Sequence, residues 1–227
     1  WHPITDVEVA HLGSLVHLKD LNLINTQITD AGMAHLKALT RLERLYLTGT
    51  RITDAGLVHL KEMDNLKTLY LTNTKITGGG LAHCSAMTQM ETLWLINTPL
   101  TDAGLAHLTG MTNLKFLYLE NTQVTDIGLS HLMRLKSLQG IVLDGTKVTT
   151  AGAAQLQKAL PNCAISAVVF NGGTMPPSTP DPQVAADNSP APTADADPVA
   201  TLENLGAEIT RNEEGEVVEV AAASFSN

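Results

Sequence analysis

The sequence predicts an α/β solenoid of stacked strand-plus-helix units, and three observations predict it. A 24-residue period runs through most of the 227-residue chain. Within each period apolar residues first alternate, as in a strand, and a Thr-Asp pair then opens a helical block. Apolar residues make up 44% of the chain but aromatics only 4%, so the core has to be aliphatic. A fixed period of this length marks a unit that cannot bury its own apolar face and does so by stacking on its neighbours.

The strand core reads Leu18-x-x-Leu21-x-Leu23, then Leu42/Leu45/Leu47, Leu66/Leu69/Leu71, Met90/Leu93/Leu95, Leu114/Leu117/Leu119 and Leu138/Ile141/Leu143. Extended backbone alternates sides, so Leu21 and Leu23 face the core while Asn22 and Ile24 face away. Next in each unit come a threonine (Thr26 to Thr146) and, two residues on, an aliphatic residue (Ile28 to Val148). A block such as Thr101-Asp-Ala-Gly-Leu-Ala-His-Leu108 follows. Its Thr is a helix N-cap candidate, and the Asp after it suits the positive end of the helix dipole. Gly32, Gly56, Gly80, Gly104, Gly128 and Gly152 recur inside this turn. A glycine there costs a helix about 1 kcal/mol, so its repetition predicts close packing between neighbouring turns.

Six full units run from Leu18 to Pro161, and Ile4-Thr5-Asp6 with His11-Leu12 forms a partial unit before them. The last helical block, Ala151–Ala159, drifts from the pattern: Thr150 replaces Asp and Gln155 replaces His. Leu160–Ile165 then reads as a terminal strand or cap ending near Phe170.

This pattern resembles the leucine-rich repeat, L-x-x-L-x-L-x-x-[N/C]-x-L, with Thr in the Asn/Cys place. It is similar to the bacterial 24-residue repeats of the ribonuclease-inhibitor, cysteine-containing and GALA types. The resemblance covers residues 1–170 and implies a curved solenoid, with a parallel sheet inside and helices outside. It also implies a protein-binding scaffold without cofactor or catalytic residues.

Beyond the repeats, seven of the ten prolines fall between Pro176 and Pro198, which marks residues 171–199 as an extended, disordered Pro/Ala/Asp-rich linker. In residues 200–227, Ala200–Gly206 reads as a short helix and Val217–Val220 as a strand. This segment is similar to those that open a further repeat array in such bacterial proteins. Because the chain starts at Trp1 in mid-repeat, it is expected to be a piece of a longer protein. A bare parallel edge invites aggregation, so further repeats or a cap are expected upstream.

Residues 1–166 hold 13 Lys/Arg and 13 Asp/Glu, while residues 167–227 hold one Arg and ten acids, which supply the whole net charge of −9. The repeats therefore present no basic field for nucleic acid. The longest apolar run, Cys163–Phe170, is far short of the roughly 20 residues that span a bilayer. Cys84 and Cys163 lie more than three units apart, too distant at about 4.8 Å per strand to bridge.

His11, His35, His59, His83, His107 and His131 recur in register on the helical side. Zinc needs each nitrogen within about 2.1 Å, and helices about 10 Å across keep such residues apart. Each His is instead expected to be half-buried and hydrogen-bonded to a neighbouring turn, with no metal site. Gly78-Gly79-Gly80 lacks the Lys-Ser/Thr of a phosphate loop and replaces Asp-Ala-Gly in register. Cys84 stands at an inward Leu position, and Ser130 and His131 are neighbours that do not face each other. No acid, base and nucleophile converge, so no catalytic residue is assigned.

Tyr46, Tyr70, Trp94 and Tyr118 occupy one outward strand position, and Phe116 lies two residues before the last. Five of the eight aromatics thus fall on the inner face, where Tyr and Trp form binding hot spots or stacked pairs that hold the sheet. Arg44, Arg51, Thr68, Thr72, Lys75, Thr92, Glu120 and Gln123 would form a polar rim. The function this supports is a non-catalytic module binding a protein partner through Tyr46, Tyr70, Trp94, Phe116, Tyr118, Arg44 and Glu120. Two alternatives remain: glycan or peptidoglycan binding, which needs ring faces open to solvent, and the recognition arm of a larger, ubiquitin-ligase-like protein. For the latter no F-box is present.

Overall fold

The structure is a computed structural model that describes residues 4–166, 203 and 207–221. Seven strands of three residues recur once per unit: β1 (Asp20–Asn22), β2 (Arg44–Tyr46), β3 (Thr68–Tyr70), β4 (Thr92–Trp94), β5 (Phe116–Tyr118), β6 (Gly140–Val142) and β7 (Ala164–Ser166). They pair in parallel, each with the next, so that residues of like repeat position meet: Leu21, Leu45, Leu69, Leu93, Leu117 and Ile141 form one row. That row is wholly buried, as are the Leu23-to-Leu119 row and the helical-side leucines. Burying each such side chain is worth about 1.5–3 kcal/mol, and only the stack makes the burial possible.

The outer side is built from shorter helices than the periodicity suggested. They are α1 (Asp6–Val9), α2 (Asp30–Leu36), α3 (Asp102–Leu105), α4 (Asp126–Leu132) and α5 (Thr150–Ala159). Tighter 3-10 turns at Ala10–Ser14 and Ala106–Gly110 extend α1 and α3, and those at Gly56–Leu60 and Gly79–Cys84 replace the helix altogether.

The aspartate that begins each helical block does more than meet a helix dipole. Its two carboxylate oxygens reach forward one repeat and accept from the backbone N–H and hydroxyl of the threonine that opens the next block. Asp6 binds Thr29 at 2.7 and 2.6 Å, Asp30 binds Thr53 at 2.8 and 2.7 Å, Asp102 binds Thr125 at 2.8 and 2.7 Å, and Asp126 binds Thr149 at 2.8 and 2.6 Å. The same hydroxyl accepts an N–H from its own first turn, as Thr29 does from Ala31 at 3.2 Å. The recurring glycine follows from this staple: a Cβ on Gly32 would stand 2.3 Å from Asp6 Oδ1, and one on Gly128 2.3 Å from Asp102 Oδ1.

Gly78 interrupts the series. Thr101 has no carboxylate behind it and bonds the Thr77 carbonyl instead, at 3.1 Å. Gly78 has φ +111°, and a Cβ there would meet Gly104 Cα at 2.4 Å. At Asp54, burial alone would raise the pKa. The Thr77 hydroxyl and the amides of Gly80, Gly78 and Thr77 outweigh that and hold the carboxyl below its ordinary value.

Two further ladders run through the turn after each strand. Thr26, Thr50, Thr74, Thr98, Thr122 and Thr146 each donate a hydroxyl to the carbonyl three residues back, at 2.6–2.8 Å. This explains how Thr serves in a buried Asn/Cys place. Just before them, Asn25, Asn73, Asn97 and Asn121 adopt left-handed backbone, with Gly49 and Gly145 in register. The side-chain amides of Asn121, Asn97 and Asn73 form a chain of bonds at 2.7 and 2.9 Å.

Residues 208–221 add β8 (Glu208–Arg211) and β9 (Val217–Ala221), which pair with each other antiparallel. β9 then pairs in parallel with β1, giving the order β7-β6-β5-β4-β3-β2-β1-β9-β8. The strand foreseen at Val217–Val220 is thus present, but it extends the first sheet and covers the edge for which an upstream cap was expected. The linker at 171–199, the strand beyond Ser166 and the helix at Ala200–Gly206, Glu203 aside, lie outside the described residues.

Replacing Asp30 by Ala strands the Thr53 donors and is expected to lower unfolding stability by about 1–3 kcal/mol in a urea titration. Gly78→Asp, which restores the repeat pattern, is expected to destabilise as well, because its backbone and Cβ space are both wrong for it.

Candidate functional site

Strand alternation turns the first and third residue of every strand to the inner face, and parallel register lines them up. Tyr46, Tyr70, Trp94, Tyr118 and Val142 form one row; Arg44, Thr68, Thr92, Phe116 and Gly140 form another. With Glu120 two residues beyond Tyr118, all seven candidate residues lie on this face.

The four rings stack face to face. Their centroids lie 4.7, 5.0 and 3.7 Å apart, with planes 21°, 17° and 13° from parallel. Strand spacing of about 4.8 Å sets this separation. Stacking takes the ring faces out of solvent: Trp94 and Tyr118 are each 4% exposed, while Tyr46, Tyr70 and Phe116 are half-buried. Trp94, Tyr118 and Val142 form a small core of their own, with Tyr70, Ile96 and Phe116 packed on it. Of the candidate contacts, Arg44 is exposed and Glu120 half-buried. Thr72, placed at the rim by the sequence, is buried, whereas Arg51, Lys75 and Gln123 are exposed.

The face also holds buried polar atoms without a hydrogen-bond partner among the described residues: Trp94 Nε1, Glu120 Oε2, and the hydroxyls of Thr48 and Thr72. Leaving such a group unpaired costs about 1–3 kcal/mol. Burial pushes the Glu120 carboxyl up; a bond from its own backbone N–H opposes this, and the Asp144 charge one strand along reinforces it. Burial likewise raises the hydroxyl pKa of Tyr46, as does the neighbouring Tyr70.

Charges alternate along the margin of the sheet. Glu43 stands between Lys19 at 3.7 Å and Lys67 at 2.7 Å, and Glu91 pairs with Lys115 at 2.8 Å. Next to them Arg44 donates to Asp20 on the neighbouring strand. The column Lys19, Glu43, Lys67, Glu91, Lys115 is visible once repeat positions are read downward, as is the left-handed Asn/Gly column. Asp144, Thr48 and Asp20, which flank the aromatic row, were not anticipated.

On the outer side, His35 and His83 are exposed and His11, His59, His107 and His131 half-buried. The half-burial expected of the histidines is met at four of the six, but the hydrogen bonds expected from their rings do not form among the described residues. No three His, Cys, Asp or Glu side chains converge as a metal site among the described residues. Burial pushes the Cys84 thiol up to about 12 and the Cys163 thiol up to about 11, which keeps both protonated and unreactive. Among the described residues, no helix is long and apolar enough to cross a membrane.

A single sheet of parallel strands, each followed by a short outer turn and stacked once per 24 residues, defines a solenoid repeat protein. Leucine-rich-repeat models match residues 14–37, 38–61 and, as a two-copy model, 88–131. Among solved structures the chain is similar to an internalin from Listeria monocytogenes, at 30% identity and TM-score 0.56, over 69% of this chain and 43% of that one. It is also similar to an internalin C2 from the same organism, at 25% identity and TM-score 0.49, over 63% of this chain and 68% of that one. The chain thus spans less than half of the first internalin. No curated protein matches it. The protein is a leucine-rich-repeat protein.

Trp94→Ala is expected to lower unfolding stability by about 3 kcal/mol or more, as for a core aromatic; a loss below about 0.5 kcal/mol would mark a surface residue. For Glu120 the folded pKa lies above the unfolded one, so its stabilising contribution is full below the ordinary carboxylate range and is lost as pH rises through the folded value. Glu120→Gln is therefore expected to raise the melting temperature at pH 7, with the gain shrinking toward pH 4.

Proposed function

We propose that the chain is a non-catalytic protein-interaction module that holds its partner on the inner face of the sheet. The observation that carries this reading is the aromatic row: four consecutive strands of an aromatic-poor chain present Tyr or Trp at one outward position. The stacked rings are already fixed, so little side-chain entropy is lost when a partner docks on their edges. Trp94 and Tyr118 act as the support, and Arg44, Tyr46, Tyr70, Phe116 and Glu120 as the accessible contacts. Mutual stacking speaks against a glycan, since a sugar needs the ring faces that neighbouring rings occupy.

Affinity capture from a native lysate with the full chain, beside an Arg44→Ala, Tyr46→Ala, Tyr70→Ala variant of unchanged circular dichroism, tests this. A protein captured by the first and reduced at least about tenfold with the second, as loss of one hot spot would give, is the expected result. Equal capture by both would remove the inner face as the binding site.

A further inference from the structure

The partial unit at the start of the repeats has an outer half but no strand of its own among the described residues. Ile4 and the segment Asp6–Ser14 stack on the next unit through Asp6, and Gln27 N–H donates to the Ile4 carbonyl at 2.9 Å. The slot beside β1, where that unit's strand belongs, is filled by β9. Asp20, Leu21 and Asn22 face Glu219, Val220 and Ala221, and Lys19 N–H donates to the Val218 carbonyl at 2.8 Å. In this register Val217-x-x-Val220 continues the Leu18-x-x-Leu21 rows, and both valines are buried in the main core. His17 Nε2 also lies 3.4 Å from Glu216 Oε1.

The hairpin has the marks of a unit that arrives whole. Asn212 Oδ1 accepts from the Glu214 and Glu216 amides at 3.1 and 2.9 Å, and Gly215 takes the left-handed turn position at φ +80°. Glu208, Thr210 and Arg211 are exposed on β8, so the new outer strand carries charges that discourage further pairing. Yet a two-stranded hairpin is marginal in water by itself, and its valines find cover only on β1. Reach is sufficient: eight strand steps separate β7 from β8, about 38 Å at strand spacing. The 41 residues between Ser166 and Glu208 have a root-mean-square span of about 35 Å even as a coil.

We propose that the edge of β1 is a strand-docking site and that the hairpin 208–221 of the same chain is its ligand, a separable clip on that edge. Docking of this kind reads two features: backbone groups spaced for a parallel strand, and a Val-x-x-Val pair in the frame of the repeat leucines.

Hydrogen exchange on the full chain, beside a Val217→Asp, Val220→Asp variant, tests the clip. Amides of residues 19–23 are expected to exchange about tenfold faster or more in the variant, with β4–β6 unchanged, as for a local opening. A synthetic peptide of residues 207–222, added at the roughly millimolar level that a tether supplies, is expected to restore protection, and the same peptide with both Asp substitutions is not. Unchanged protection of residues 19–23, or no rescue by the peptide, would overturn the proposal. Should the variant lose protection throughout, a second chain with Asn22→Cys and Ala221→Cys decides. A disulfide within one chain supports the clip, and its absence, or a disulfide between chains, overturns it.

Discussion

Each helix-start aspartate grips the threonine of the following repeat, and much of the architecture depends on that forward-reaching bond. It joins units on the side of the outer turns, across the core from the sheet's own hydrogen-bonded ladder, and it helps fix their offset, because both carboxylate oxygens are used on one residue. It also dictates the glycine beside it, since the carboxylate occupies the space of a Cβ. Where the aspartate is missing, at Gly78, the backbone turns left-handed and Gly104 closes against it, so one local exception is absorbed by two glycines.

A fixed offset has consequences on the opposite wall. Whatever stands at one repeat position is brought within about 4.8 Å of its equivalents, so each column of the sequence becomes a physical row. Aromatic columns stack, asparagine columns chain their amides, and alternating Lys/Glu columns neutralise one another. The rows lend rigidity to the inner face, but they also consume it: the rings that would serve best as hot spots spend their faces on each other. Arg44 stays exposed, and Tyr46, Tyr70, Phe116 and Glu120 stay half-buried.

Rows end where the stack ends, and the two ends are treated differently. At one, the pattern decays through Ala151–Ala159 into the short β7. At the other, β9 lies against β1 and brings the sheet's one antiparallel pair among the described residues.

The sequence by itself determined the period, the buried leucine rows, the capping threonines Thr29, Thr125 and Thr149 (though not Thr53 or Thr101) and the face that carries the aromatics, because each follows from spacing within a single unit. Close packing at the repeating glycines was legible too, though its cause was not: the residue that fills the space belongs to the preceding repeat. The Asn/Gly column and the Lys/Glu column were equally present in the sequence but become readable only when units are compared position by position. Only the tertiary structure decided that Trp94 and Tyr118 are buried, that Glu120 is held partly out of water beside Asp144, and that the hairpin seats on β1. These depend on which surfaces meet after stacking. Ring exposure is set by the neighbouring strand, and the pairing of β9 with β1 joins segments at opposite ends of the chain, a contact no repeating interval encodes.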